Sequence, residues 1–162
     1  MAELRQLAAD LGYGDVRTYL ASGNLLFTSN NDVDAIATEL EGAIATRFGF
    51  PVQIILRSAA QWKRHRAANP LPEQSAVEPN RVMMLSSKRP IPADAVDRLR
   101  DRAAPNETIK QGDGAIWIHF GGGAGTSRLT PDYIDKAAGS PSTARNWRTV
   151  EALAAMAGEG LE

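Results

Sequence analysis

Cysteine is absent from the 162 residues. That removes disulfides, thiolate catalysis and most zinc sites from consideration. Only His65 and His119 supply imidazole, too few to build a histidine metal cage. Charge of one sign is also lacking: 18 basic residues face 19 acidic ones, for a net charge of −1. No global field draws the chain to nucleic acid or to a membrane, so any such binding needs a local patch. No apolar run approaches the roughly 20 residues of a membrane span. The opening "MAELRQLAADLG" is a charged amphipathic pattern and not a signal peptide. These absences together set the expectation of a soluble cytoplasmic protein with no metal and no cofactor.

What is present is patterned. Met1, Leu4, Leu7, Ala8 and Leu11 recur at helical spacing, and Gly12 stops them. "DVRTYLASGNLLFTS" then alternates, with turn chemistry at Ser22-Gly23-Asn24 between two strands, the second over Leu25–Thr28. Asn31 or Asp32 caps a helix whose apolar stripe is Val33, Ile36, Leu40, Ile44 and Phe48. A strand is expected near Val52–Leu56. Ser58 with Gln61 reads as a capping box opening a short helix. Residues 69–80 hold three prolines without periodicity and read as a linker.

The second half opens with the strand "RVMMLSS", followed by a helix near Pro92–Arg102, whose proline suits a first turn. A hairpin turning at Asp113-Gly114 comes next, then the glycine loop "GGGAGTS". Two helices close the chain, near Thr130–Ala138 and Thr143–Ala157.

A ferredoxin-like unit runs β-α-β-β-α-β. Residues 1–68 match it without its first strand. Residues 81–157 match it with a helix replacing the last strand, and 158–162 form a tail. The expected architecture is α+β, two ferredoxin-like halves with no residue-level repeat, the first exposing a sheet edge. Such an edge favours a strand-paired homodimer.

Four motifs carry a resemblance: "VRTYLASGNLLF" at 16–27, "RFGFPVQIILRS" at 47–58, "SRLT" at 127–130 and "TARNWRTV" at 143–150. In that order they resemble the bacterial domain of unknown function 1697 family, from Met1 to about Ala157. The resemblance implies an α+β fold related to the ferredoxin-like arrangement and no established activity. Members of that family usually begin earlier, with a strand and an "RGINVGG"-like segment; neither is seen ahead of the first helix here.

Three stretches invite functional readings. "HFGGGAGTSRLT" has the strand, glycine loop and helix order of an anion site. Ser127 and Arg128 would face the ligand there, although GxGxxG and the Walker pattern both fail. A flexible connector with a hydroxyl cap explains the same residues. In "AIWIHF", alternation sets Trp117 and His119 on one face. That face either packs on another element or stacks bases, as aromatics do in RNA-recognition domains. In "RSAAQWKRHR", Arg57, Lys63 and Arg66 belong to the densest basic cluster, a phosphate-tracking patch or a solvated helix with Trp62 turned inward.

The closing "STARNWRTV" reads as a helix start, capped by Ser142 or Thr143, with Trp147 on the core stripe. Arg145 and Arg148 would then lie against the helix dipole, a cost of a few tenths to about 1 kcal/mol that an anion relieves. The sequence therefore points to a non-enzymatic binding module for a phosphate-bearing ligand, held by Ser127, Arg128, Arg145 and Asn146. Its alternatives are single-stranded nucleic-acid binding through Trp117, His119, Arg57, Lys63 and Arg66, and an enzyme acting on a phosphorylated small molecule. No catalytic constellation stands out.

Overall fold

A computed structural model describes residues 1–21 and 23–158. Ser22 and all of the expected tail except Gly158 lie outside the described residues. The fold is α+β, with two antiparallel sheets.

The first half runs α1 (Ala2–Asp10), β1 (Gly14–Tyr19), β2 (Asn24–Thr28) and α2 (Val33–Phe48). Of the two capping candidates, Asp32 takes the role. Its carboxylate accepts from the amides of Asp34 and Ala35, satisfying donors a helix start leaves open. Gly49, at φ 79°, ends α2 in the left-handed conformation glycine tolerates. β1 and β2 form a two-stranded antiparallel sheet. Ala8, Tyr13, Ile36 and Leu40 make its core, with Leu25, Phe27, Ile54 and Leu56 packed against them. The rings of Tyr13 and Phe27 stack at 4.5 Å.

The strand expected near Val52–Leu56 does not form a ladder. Its sidedness survives, since Ile54 and Leu56 join the core. The Ile54 amide donates to the Glu41 carboxylate at 2.8 Å, where a sheet residue would find a neighbouring strand. Among the described residues no strand pairs with this segment, although its residues suit one.

α3 (Ala59–Ala67) opens with the expected capping box of Ser58 and Gln61. The expected linker is corrected: its middle folds as α4 (Pro72–Val77), with proline at the start. Leu71 is fully buried, and the Asn69 side chain bridges the Leu71 amide and the Ser75 hydroxyl. One buried leucine and a local side-chain bridge ordered a stretch that composition alone marks as loop.

The second half runs β3 (Val82–Ser87), α5 (Ala95–Arg102), β4 (Glu107–Gln111), β5 (Ile116–Phe120), α6 (Pro131–Ala138), β6 (Ser142–Asn146) and α7 (Trp147–Gly158). The sheet order is β4-β5-β3-β6, antiparallel throughout. This is a whole βαββαβ unit, and it corrects the expectation that a helix stands in place of the last strand. Residues 142–146 carry no large apolar side chain, so alternation could not announce them. Pairing with β3 makes them a strand. α7 begins only at Trp147, where Asn146 Oδ1 accepts from the Thr149 amide at 3.0 Å.

The second sheet is covered on both faces. Leu85, Ile116, Ile118 and Phe120 face α5 and α6. Val82, Met84 and Trp117 face Leu71 and Val150, with Trp62 and Trp147 against them. The Trp62 indole donates to the Val150 carbonyl at 3.1 Å. α3, from the first half, thus lies with α7 over the second half's sheet.

Candidate functional site

The expected anion loop spends its polar groups on itself. The Ser127 hydroxyl accepts from the Leu129 amide at 3.0 Å, and Thr130 caps α6 through the Tyr133 amide at 3.3 Å. Thr126 donates back to the carbonyls of Gly122 and Gly123. Arg128 is exposed. Arg145 and Asn146 are neighbours on a strand, so they point to opposite faces. Asn146 caps α7. The expected quartet of Ser127, Arg128, Arg145 and Asn146 is therefore not gathered into one place.

The nucleic-acid set is dispersed too. Trp117 is fully buried, 5.7 Å from the Trp147 ring, so no base reaches its face. His119 is mostly covered and sits 2.7 Å from the Glu78 carboxylate. Arg66 pairs with Glu151 at 3.2 Å and lies over the Trp147 ring. Lys63 comes close to Gly158 at the end of α7. Helix periodicity turns these residues outward or along α7, whereas Arg57 precedes the helix and goes elsewhere.

Where Arg57 goes defines the site. A groove of about 520 Å³ opens between the halves. β2 supplies one wall through consecutive residues, and Ile55, Leu56 and Arg57 supply the other. Arg17 on β1, Arg57 and Arg145 on β6 all line it, with Ser86 and Thr143. Arg57 donates to its neighbour Leu56's carbonyl at 2.8 Å and, across the groove, to the Ser87 carbonyl at 2.5 Å. Arg145 reaches the other way, donating through Nε to Asn24 Oδ1 at 2.6 Å and through Nη1 to the Thr143 hydroxyl at 2.5 Å. Arg17 donates to the Met156 carbonyl at 2.9 Å and meets Asp15 at 3.3 Å.

The electrostatics are one-sided. Asp15 is the single carboxylate among the described lining residues, against three arginines. Among the described residues no carboxylate pairs with Arg57. Burial pushes the guanidiniums of Arg57 and Arg145 below their ordinary range, the mark of charge held where water is scarce. Ser86 is 2% exposed and its hydroxyl finds no partner among the described residues. A buried unpaired hydroxyl costs about 1–3 kcal/mol, a debt a bound acceptor would relieve. Among the described residues no cluster of His, Asp or Glu suits a metal ion, and no helix is long and apolar enough to cross a membrane.

Sequence reading missed this cluster because its arginines lie 40 and 88 positions apart. A local signal was nonetheless present. Arg57 stands immediately before the cap Ser58, and Arg145 immediately before the cap Asn146. An arginine followed by a helix cap occurs at the same structural step in both halves.

The family described as "Protein of unknown function (DUF1697)" matches residues 1–117. Among solved structures, the conserved bacterial protein SP0830 from Streptococcus pneumoniae is similar at 25% identity with a TM-score of 0.74, covering 97% of this chain and 88% of its own. No curated protein matches.

Proposed function

The chain belongs to the DUF1697 family, which brings no activity with it, and we propose from the geometry that it is a binding module for an anionic group of the phosphate class. The site is the groove between the halves. Arg57 and Arg145 supply charge-assisted donors, Arg17 adds field, and the Ser86 hydroxyl offers one further donor. Guanidinium groups bind oxyanions through two parallel N–H bonds, and such bonds are about twice as strong as neutral ones.

The observation that carries this reading is the convergence of three arginines from separate elements on one groove, beside a buried hydroxyl that lacks an acceptor. A solvated surface cluster would be scattered and would not reach inward to carbonyls of the opposite half. The sequence reading of a phosphate-bearing ligand is kept, with its residues moved: Arg145 stays, and Ser127, Arg128 and Asn146 give way to Arg57, Arg17 and Ser86.

Titration with pyrophosphate, followed by amide shifts, tests it. Shifts should fall at 24–28, 55–58, 86 and 143–145. Arg57→Ala should weaken binding about tenfold, the loss of a charged hydrogen bond worth about 1.5 kcal/mol, while Arg128→Ala leaves it unchanged. Shifts confined to 121–130, or equal effects of the two substitutions, would sink the proposal.

A further inference from the structure

One side chain closes the outer edge of the second sheet, and we infer that Arg100 is a latch against self-pairing. With Arg100 in place β4 is shut, and its release lets two copies of the chain join β4 to β4. This edge belongs to the second half and takes no part in the groove.

Strand alternation fixes which main-chain groups face out. β4 ends the order β4-β5-β3-β6, so no strand of the sheet lies on its far side. The Phe120 amide donates to the Arg81 carbonyl at 2.9 Å, which turns Phe120, and with it Ile118 and Ile116, toward β3. Trp117 and His119 therefore turn toward β4, opposite Lys110 and Thr108. That leaves Glu107, Ile109 and Gln111 with their main-chain groups directed outward. In agreement, the Gly112 amide, next on the inward side, donates across the hairpin to the Ala115 carbonyl at 2.8 Å.

Two of the outward groups are taken. The Glu107 amide donates to the Ala104 carbonyl at 2.9 Å, and the Glu107 carboxylate accepts from the Ala104 amide at 3.0 Å. The Ile109 carbonyl accepts twice from Arg100, at 3.1 Å from Nε and 2.7 Å from Nη2. Arg100 reaches it from α5, whose buried Ala95, Val96 and Leu99 seat the helix on the sheet. Asp97 lies 3.9 Å from Arg100 Nη1 and is exposed, so it adds little hold. Beyond the sheet itself, neither the Ile109 nor the Gln111 amide meets a main-chain partner among the described residues.

Ile109 stands at the centre of the outward set. A second copy laid antiparallel uses Glu107, Ile109 and Gln111 together only when Ile109 faces Ile109. In an antiparallel ladder such a pair exchanges both N–H···O bonds, and a two-fold axis through it makes the contact identical from each side. Each exchange needs the Ile109 carbonyl that Arg100 occupies. The same axis brings the two Arg100 guanidiniums together, and like charges at that distance oppose pairing. No other pair in this register repels: Lys110 lies opposite Thr108 of the second copy, and Glu107 opposite Gln111. Open strand edges template pairing with other chains, and charge is a common guard against it. Here one guanidinium supplies the charge and also fills the acceptor.

The test follows sedimentation and amide exchange of Arg100→Ala as protein concentration rises. The unaltered chain should show no concentration-dependent protection of β4. Arg100→Ala should dimerise, and exchange at Ile109 and Gln111 should slow about tenfold as the dimer fills. Arg98→Ala removes another exposed arginine of α5, paired with Asp94, and should behave as the unaltered chain. Gln111→Pro removes an outward amide that the sheet does not use; added to Arg100→Ala, it should restore the monomer. Arg100→Met keeps the aliphatic stem and helix propensity without the donors, and decides the question if Arg100→Ala does not fold.

A monomer for every Arg100 variant that folds would overturn the latch. Association without protection at Ile109 and Gln111, or association that Gln111→Pro leaves intact, would overturn it as well. Equal association of Arg98→Ala would trace the effect to net charge, and protection of β4 in the unaltered chain would mean an edge already open. Both results count against Arg100 as the latch.

Discussion

The two halves follow one element order and differ, among the described residues, in how their strands are paired. In the second, β3 sits between its neighbours, and both faces of a four-stranded sheet are closed by helices. In the first, the corresponding place is an open groove, and a segment with strand sidedness makes no ladder. The difference shows what a central strand does. Among the described residues, Ile54 and Leu56 pack on the first core while the segment 52–56 has no main-chain partner.

The comparison is broken most forcefully in the core. Trp117 is fully enclosed between β5 and the helices, so Trp117→Ala should cost about 3–5 kcal/mol. Phe27 is only partly buried, and Phe27→Ala should cost about half that. Urea denaturation measures both; equal costs would mean that the open half is as tightly set as the closed one.

The hairpin turns offer a second contrast. Gly114 and Gly23 both have positive φ, 73° and 90°. A Cβ at Gly114 would lie 2.5 Å from the His65 ring, whereas at Gly23 it would meet nothing within 4 Å. Gly23→Ala should cost about 1 kcal/mol from backbone conformation alone. Gly114→Ala should cost about 2 kcal/mol or more, adding displacement of a buried ring. Thermal melts that rank them the other way would count against the packing of α3 on the second hairpin.

His65 sharpens the same contact. Burial pushes its pKa below the ordinary 6.5, and Arg57 and Arg64 push the same way against the Asp113 carbonyl and carboxylate. The imidazole is thus held neutral, one ring nitrogen 2.5 Å from the Asp113 carbonyl. The unfolded chain takes up the proton more readily than the folded one. Stability should therefore fall as pH drops below about 6.5 toward the depressed value, and His65→Gln should flatten that slope. Melts between pH 7.5 and 5.5 decide it; a slope unchanged by the substitution would place the acid sensitivity elsewhere. The smallest effect belongs to the exposed pair Arg66–Glu151 between α3 and α7. Glu151→Gln should cost under about 0.5 kcal/mol, and a larger loss in urea would mean that the helix pair leans on charge.

Much of the fold was legible in sequence. Caps at Asp32 and Ser58, the hairpin at Asp113-Gly114 and the stripes of α2 and α7 are local signals, and each formed where its residues indicate. β6 was illegible because Ser142–Asn146 has no apolar alternation, and partnership with β3 alone makes it a strand. α4 was illegible because three prolines outweighed one buried leucine. The site was hardest, since Arg17, Arg57 and Arg145 meet only after both halves have folded. Periodicity reports which face a residue occupies, and it is silent on which distant face lies opposite.

The placement of α3 carries a consequence for how the chain can be divided. Its sequence belongs to the first half, yet Trp62 and His65 close over the second half's sheet. A cut between Val77 and Arg81 would therefore not release two self-sufficient pieces. Each fragment would be left with a face that only the other can cover, and the two would recover their structure by reassembling on mixing.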